Sequence, residues 1–359
     1  MSYFFILYGE AIYRLAAKRR YLAQSSYLFV INSNLQHIYT YEVNSMDVGV
    51  KGVLSPAIRV LLDRADIDES KLLEIRLRVN RPVILVYSYG ENIIHTETNH
   101  DYIVNLEDIR ATLDLISSYS LYSYEHELRQ GFITIRGGHR VGVTGQVVME
   151  GDRVKSVKHI SFVNIRVSHE IKGCGLKILP YMIGNGRVLN TLIVSPPGCG
   201  KTTLLRDVIR LLSSGSNYLK GVNVGVCDER SELAACHMGI PQNDLGPRTD
   251  VMDACPKAEG MLMLLRSMNP RVIAVDEIGT REDVEAINYV INCGCSIIAT
   301  IHGATFDDVR TRPVLRKLVE ERVFERYIVL GNRGQVGCIE NIFDERGNEL
   351  YMPLLSVAN

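Results

Sequence analysis

The run Leu192-Ile193-Val194-Ser195-Pro196-Pro197-Gly198-Cys199-Gly200-Lys201-Thr202-Thr203 sets an apolar strand, a glycine- and proline-rich turn and the start of a helix in immediate succession. Few arrangements use that succession. A tight turn can aim several backbone N–H groups inward at an anion only where side chains are small or absent. The helix that follows adds its positive end. Lys201 is then placed to reach the β- and γ-phosphates of a nucleotide, and the Thr202 hydroxyl to ligate Mg²⁺. Ser195, Pro196, Pro197, Gly198, Cys199, Gly200, Lys201, Thr202 and Thr203 are therefore the candidate nucleotide cradle. Ser195 stands where the usual pattern has its first glycine.

Three further strand ends carry polar groups. Arg271-Val272-Ile273-Ala274-Val275-Asp276-Glu277-Ile278-Gly279 reads as a buried strand that emerges in paired acids. Asp276 is expected to hold Mg²⁺ through its water shell, and Glu277 to orient or deprotonate an attacking water. Cys227-Asp228-Glu229-Arg230-Ser231-Glu232-Leu233 repeats the pattern, which makes Glu229 a further catalytic candidate. Thr300-Ile301-His302-Gly303 closes another strand, and His302 is a candidate sensor of the γ-phosphate. In open α/β sheets ligands lie outside the carboxyl ends of the parallel strands, so these groups are expected to converge. Arg136, Arg140, Arg166, Arg230, Arg248 and Arg266 are candidates to stabilise charge on a transferring phosphate.

The 359 residues suggest about two domains. Residues 1–45 are rich in Tyr, Phe and Leu, and lack the element signals seen later. Met46 is the expected initiator, with 1–45 an atypical extension. Residues 46–180 are expected to form a smaller α+β domain: helices over 55–65 and 106–118, strands over 73–79 and 82–87, a glycine-spaced hairpin over 132–145 and a strand pair over 157–167. Residues 172–175 read as the linker. From 181 to 359 strands alternate with helices, which predicts an α/β domain with a mainly parallel sheet. Its strand cores are 188–195, 222–228, 272–276 and 296–301; its helices lie at 202–212, near 261–267 and at 281–292; the tail over 327–330, 336–342 and 349–354 is β-like.

Hydrophobic residues make up 46% and charged residues 23%, ordinary for a packed soluble core. A net charge of −1 argues against general nucleic-acid binding as the main role. The eight cysteines include no Cys-x-x-Cys pair, and Cys199 sits in the turn itself, which fits a reducing cytosol. The uncharged stretch 21–41 carries Gln24, Asn32, Asn34, Gln36 and His37, so no segment reads as membrane-spanning.

With Asp228-Glu229-Arg230-Ser231-Glu232-Leu233, the arginine-containing stretch Leu265-Arg266-Ser267-Met268-Asn269-Pro270, the acidic helix start after Glu277 and Thr300-Ile301-His302, the chain resembles the RecA-like secretion ATPases of type II and type IV systems. A closer resemblance is to a family of stage III sporulation proteins of endospore-forming bacteria. It is carried by Glu74-Ile75-Arg76-Leu77-Arg78 with Asn80-Arg81-Pro82, by Pro241-Gln242-Asn243-Asp244-Leu245-Gly246-Pro247-Arg248-Thr249-Asp250-Val251, and by Cys255-Pro256-Lys257-Ala258; it covers residues 46–359. Ser195 departs from the family's glycine. The resemblance implies a RecA-like P-loop NTPase domain and a Mg²⁺-dependent ATP hydrolase. It further implies a cytoplasmic homo-hexameric motor, peripheral to a membrane-anchored sporulation channel on the mother-cell side.

Two other readings stand beside the motor. One is a nucleic-acid-associated P-loop protein, with Arg76, Arg78, Arg81 and the Arg136–Arg140 hairpin as its basic face. The other is a nucleotide-binding scaffold with little turnover, for which Ser195 is the best support. No Asn-Lys-x-Asp string reads guanine and no Leu-Ser-Gly-Gly signature is present. Lys201→Ala removes charge-assisted hydrogen bonds worth roughly 1.5–3 kcal/mol each. Nucleotide affinity should therefore drop by at least about tenfold in calorimetric titration; an unchanged affinity would place the cradle elsewhere.

Overall fold

From 74 to 78 apolar residues alternate with charged ones, and the two on one face, Ile75 and Leu77, are buried; a register shift after Leu72 brings it to the same core. That period-two pattern is what a strand with one face on a core requires. The computed structural model describes residues 27–31, 38–42, 49–65, 67–118, 124, 127, 131–331 and 337–351. Of the extension expected over 1–45, only strands Tyr27–Ile31 and Ile38–Glu42 lie within these residues, and Ile38–Glu42 pairs with Glu170–Lys172. The β-like readings at 336 and 352–354 lie outside them.

The first unit is an antiparallel sheet of six strands: β1 (Leu72–Arg78), β2 (Ile84–Tyr87), β3 (Gly90–Ile93), β4 (Phe132–Ile135), β5 (His139–Glu150) and β6 (Arg153–Arg166), in the order β3-β2-β1-β6-β5-β4. Helices α1 (Pro56–Arg64) and α2 (Leu106–Ile116) complete its core through Ile58, Leu62, Ile109 and Leu113. Ser55 caps α1 and Asn105 with Asp108 forms a capping box on α2. Asp108 is buried because it also accepts from the Ser55 hydroxyl at 2.8 Å and the Tyr102 hydroxyl at 3.0 Å. Residues 157–167 do not form a strand pair. All but residue 167 belong to the single long strand β6, whose partner β5 supplies the other half of the hairpin.

The second unit is a sheet of eight strands: β7 (Thr191–Ser195), β8 (Val224–Asp228), β9 (Thr249–Asp253), β10 (Val272–Val275), β11 (Ser296–His302), β12 (Arg326–Gly331), β13 (Cys338–Asp344) and β14 (Glu349–Tyr351). Their order is β9-β8-β10-β11-β7-β12-β13-β14, parallel from β9 to β12 and antiparallel thereafter. This is the expected α/β architecture with a mainly parallel sheet. Alternate residues of the parallel strands enter two cores. Ile193, Val226 and Ala274 face α3 (Lys201–Ser214); Leu192, Val194, Ile273 and Val275 face α4 (Lys257–Ser267) and α5 (Arg281–Asn292). Covering both faces is why these strands read as continuous apolar runs.

Two further expectations differ from the structure. The strand read over 188–195 is interrupted, because Asn190 turns inward: its Nδ2 donates to the Val323 carbonyl at 3.0 Å and its Oδ1 accepts from Ile297 N–H at 3.0 Å. The linker read over 172–175 is built into the fold. Lys172 ends the strand Glu170–Lys172, Gly173 turns the chain at φ +91°, and Gly175 donates its N–H to the buried Asp207 of α3 at 2.7 Å. Among the described residues no helix is long and apolar enough to cross a membrane.

His139 opens β5 fully buried, with Nδ1 accepting the Ser168 N–H at 3.0 Å. Burial, and then the neighbouring His169, push its pKa down to about 4. An unfolded histidine titrates near ~6.5, so the folded chain resists a proton that the unfolded chain takes. Stability conferred by neutral His139 is complete above about 6.5 and is lost as pH falls toward 4, by about 2–3 kcal/mol. Denaturant titrations between pH 6.5 and 4 should show this loss, and His139→Gln should flatten it; an equal slope in the variant contradicts the assignment.

Candidate functional site

The turn after β7 is shaped by two glycines in the left-handed region, Gly198 at φ +74° and Gly200 at φ +83°. A side chain is strained at either position. Helix α3 begins at Lys201 without a side-chain cap and without an acid in its first turn, which leaves its amino-terminal N–H groups for an anion. Ser195 is fully buried and its hydroxyl donates to the Pro196 carbonyl at 2.9 Å. Cys199 is buried, with Sγ 3.8 Å from the Pro197 carbonyl, and all eight cysteines are free thiols.

Strand β11 lies between β7 and β10, so its end separates Lys201 from the two acids and contacts both sides. Lys201, only 8% exposed, donates to Glu277 Oε1 at 2.7 Å and lies 3.8 Å from Asp276 Oδ1. His302 Nε2 is 2.6 Å from the same Glu277 oxygen, and Arg230 donates to the other at 2.8 Å. The Thr202 hydroxyl donates to Asp276 Oδ2 at 2.8 Å. Thr300, fully buried, donates its hydroxyl to Asp276 Oδ1 and accepts the Glu277 N–H at 2.9 Å. Glu277 itself has φ +53°, a left-handed conformation uncommon outside glycine. Burial alone raises its pKa, but the Lys201 hydrogen bond and the charges of Lys201, Arg230 and His302 outweigh it and hold the carboxyl below its usual range.

Lys201, Thr202, Asp276, Glu277, His302 and Arg230 thus meet in one cluster. Glu229 is turned aside onto Lys257. Arg140 donates to the carbonyls of Arg230 and Ser231, Arg166 lies 3.5 Å from Glu74, and Arg248 donates to the Ser213 carbonyl at 2.8 Å. Arg136 is exposed, and Arg266 lies in the last turn of α4, before the opposite end of β10. Arg76 also pairs with Glu74, at 2.8 Å, so part of the proposed basic face is neutralised.

Asp228 plays a different part from that suggested by its place at a strand end. Its carboxylate is buried and accepts the N–H groups of Glu232, Leu233 and Ala234 at 2.8, 2.9 and 2.8 Å, folding the loop that follows β8. Burial outweighs those hydrogen bonds and pushes its pKa up to about 6. Thr300 was visible in sequence only as the companion of His302; its signal is a hydroxyl two residues before a strand-end histidine.

The family description "Sporulation stage III, protein AA" matches residues 46–350. The chain is 45% identical over 289 residues to stage III sporulation protein AA of Bacillus subtilis (strain 168), covering 80% of this chain and 92% of that protein. The chain belongs to the sporulation stage III protein AA family. Protein SEEDLING PLASTID DEVELOPMENT 1 of Arabidopsis thaliana is 24% identical over 269 residues, covering 74% of this chain and 35% of that protein. Among solved structures, the ATPase DotB of Legionella pneumophila is 15% identical with a TM-score of 0.49, covering 72% of each chain.

In this member of the sporulation stage III protein AA family, Thr300 bridges the two acids with a single hydroxyl. Thr300→Val keeps the shape but leaves the Glu277 N–H without its acceptor. An unsatisfied buried group costs about 1–3 kcal/mol, which denaturant unfolding should reveal; a loss below about 0.5 kcal/mol, within the range of neutral surface changes, would mean the bridge is dispensable.

Proposed function

We propose that this chain is a Mg²⁺-dependent ATP hydrolase that drives a secretion-like channel complex during endospore formation. The observation that carries the reading is the cluster in which one carboxylate, Glu277, is shared by Lys201, His302 and Arg230 at 2.6–2.8 Å beside an open helix start. Thr202 and Asp276 place hard oxygen donors 2.8 Å apart, a set that fits Mg²⁺, with Thr202 as direct ligand and Asp276 acting through water. The bound ion would neutralise charge on the phosphate oxygens.

In this mechanism the backbone of 195–203 orients the polyphosphate, and Lys201 moves from Glu277 to its β- and γ-oxygens. The Glu277 oxygen so released accepts a hydrogen bond from water at the γ-phosphate and takes its proton as the water oxygen bonds the γ-phosphorus, whose bond to the bridging oxygen breaks to leave ADP and phosphate. A carboxylate is ionised at neutral pH, and with Lys201 gone it loses the strongest of the contacts that hold its pKa down, which leaves it free to take that proton. His302 stays against Glu277 and registers loss of the γ-phosphate. Glu229, on Lys257, is the reserve acid. The same reading makes the chain a homo-hexamer docked on membrane-anchored channel proteins from the cytoplasmic side. The separate antiparallel and mainly parallel sheets support a division near residue 180 into a small α+β domain and an ATPase domain.

Phosphate release from ATP is the test. The full chain should release phosphate with Mg²⁺ present, and Glu277→Gln should retain ATP while losing turnover by at least about a hundredfold, the scale of general base catalysis. Turnover in Glu277→Gln equal to the unsubstituted chain would shift the base to another acid such as Glu229. ATP bound without turnover in either would favour the nucleotide-dependent scaffold.

A further inference from the structure

The loop between β8 and β9, residues 229–248, is where the two sheets meet. Its inner end is rigid. Asp228 takes the N–H groups of Glu232, Leu233 and Ala234, and Arg206 of α3 donates to the carbonyls of Glu232 and Leu233 at 2.7 and 2.9 Å. Its outer face is held by the β4–β5 hairpin of the small sheet. The Gly137 N–H donates to Gln242 Oε1 at 2.9 Å, and His237 Nδ1 is 3.1 Å from the Thr134 carbonyl. Gly138 packs so closely that a Cβ there would lie 3.2 Å from that of Ala235.

Arg140 makes the contact that matters for chemistry. Its guanidinium lies over the Phe132 ring, 4.7 Å from the centroid. One nitrogen donates to the carbonyls of Arg230 and Ser231 at 3.1 and 3.0 Å, and another reaches Glu232 Oε1 at 3.3 Å. Arg230 in turn donates to Glu277 Oε2 at 2.8 Å, although its side chain is 65% exposed. Little packing fixes such a side chain, so the placement of its main chain decides where the guanidinium lies. Ser231, next in the chain, has φ +52°. A left-handed residue at that point persists only where its surroundings hold it.

We propose that Arg140 is a positioning residue that couples the small antiparallel sheet to the candidate catalytic base. By holding the carbonyls of Arg230 and Ser231 it keeps the Arg230 guanidinium on Glu277. The consequence for turnover rests on the reading of Glu277 as the base; the grip on the loop does not. A load that shifts the small sheet would withdraw Arg140, loosen 230–232 and release the Arg230 cation from Glu277. Such a shift is thereby transmitted to the phosphate site through five residues, Phe132 stacked under Arg140 on one side and the bonded Arg230, Ser231 and Glu277 on the other.

The test uses the full chain with Arg140→Ala, Arg230→Ala, the double variant, and Phe132→Leu as a milder change that keeps Arg140. Amide hydrogen exchange in the absence of nucleotide reads the grip directly. Exchange over 229–233 should quicken by at least about tenfold in Arg140→Ala and by less in Phe132→Leu. Turnover reads the relay. Arg140→Ala should lower kcat by about tenfold with KM for ATP within about twofold, and the double variant should be no worse than Arg230→Ala alone. Unchanged exchange over 229–233 overturns the proposal whatever the turnover. So does a double variant whose loss is the product of the two single losses, or an effect of Arg140→Ala confined to KM, since either would mean that Arg140 meets the nucleotide itself. If the unsubstituted chain releases no phosphate, the ATPase reading fails, and the exchange result still decides the grip.

Discussion

A lysine buried at the start of a helix needs a counter-charge, and in this chain Glu277 supplies it. Lys201 is almost wholly removed from water, and a buried ammonium without a partner is strongly destabilising. The same carboxylate is also shared with His302 and Arg230, which belong to different elements. The helix start, the end of β11 and the loop after β8 are thereby pinned to one group. A polyphosphate in the turn would replace Glu277 as the partner of Lys201, so binding the anion and freeing the acid are one event. That exchange is the physical basis of the proposed mechanism.

Glu277 reaches this position at a conformational cost. Its φ of +53° is sustained by the fully buried Thr300, which accepts its N–H while donating to Asp276, and by the Ile278 N–H on the Thr300 carbonyl at 3.0 Å. Thr300 in turn is fixed by β11, which has β7 on one side and β10 on the other. The parallel sheet is thus a device for setting two acids and a lysine at fixed separation across an intervening strand. Loops alone do not hold such geometry; here the loop after β8 is anchored at its start by the buried Asp228.

The elements legible in the sequence were those with one dominant signal. The continuous apolar runs of β8, β10 and β11 announce strands covered on both faces, and the phosphate turn follows from its glycines. The edge strand β9, Thr249–Asp253, was missed: all its residues are only partly buried, and three of the five are polar, so neither alternation nor an apolar run marks it. The break at Asn190 and the inward turn of Asp228 were also hidden, because a polar residue beside an apolar run reads the same whether it faces solvent or satisfies the main chain. Of the candidate site residues, Lys201, Thr202, Asp276, Glu277 and His302 are found together. The six arginines were indistinguishable in sequence, since which of them meets Glu277 depends on the docking of the two sheets through loop 229–248.

The most direct test of the shared carboxylate is calorimetric titration of Mg·ATP into the chain and into Glu277→Gln. If Lys201 must leave Glu277 to bind phosphate, removing that charge should tighten ATP binding, by roughly five- to tenfold for an ion pair worth about 1–1.4 kcal/mol. Equal or weaker affinity in Glu277→Gln would contradict the account, because it would show that the Lys201–Glu277 pair does not compete with the nucleotide.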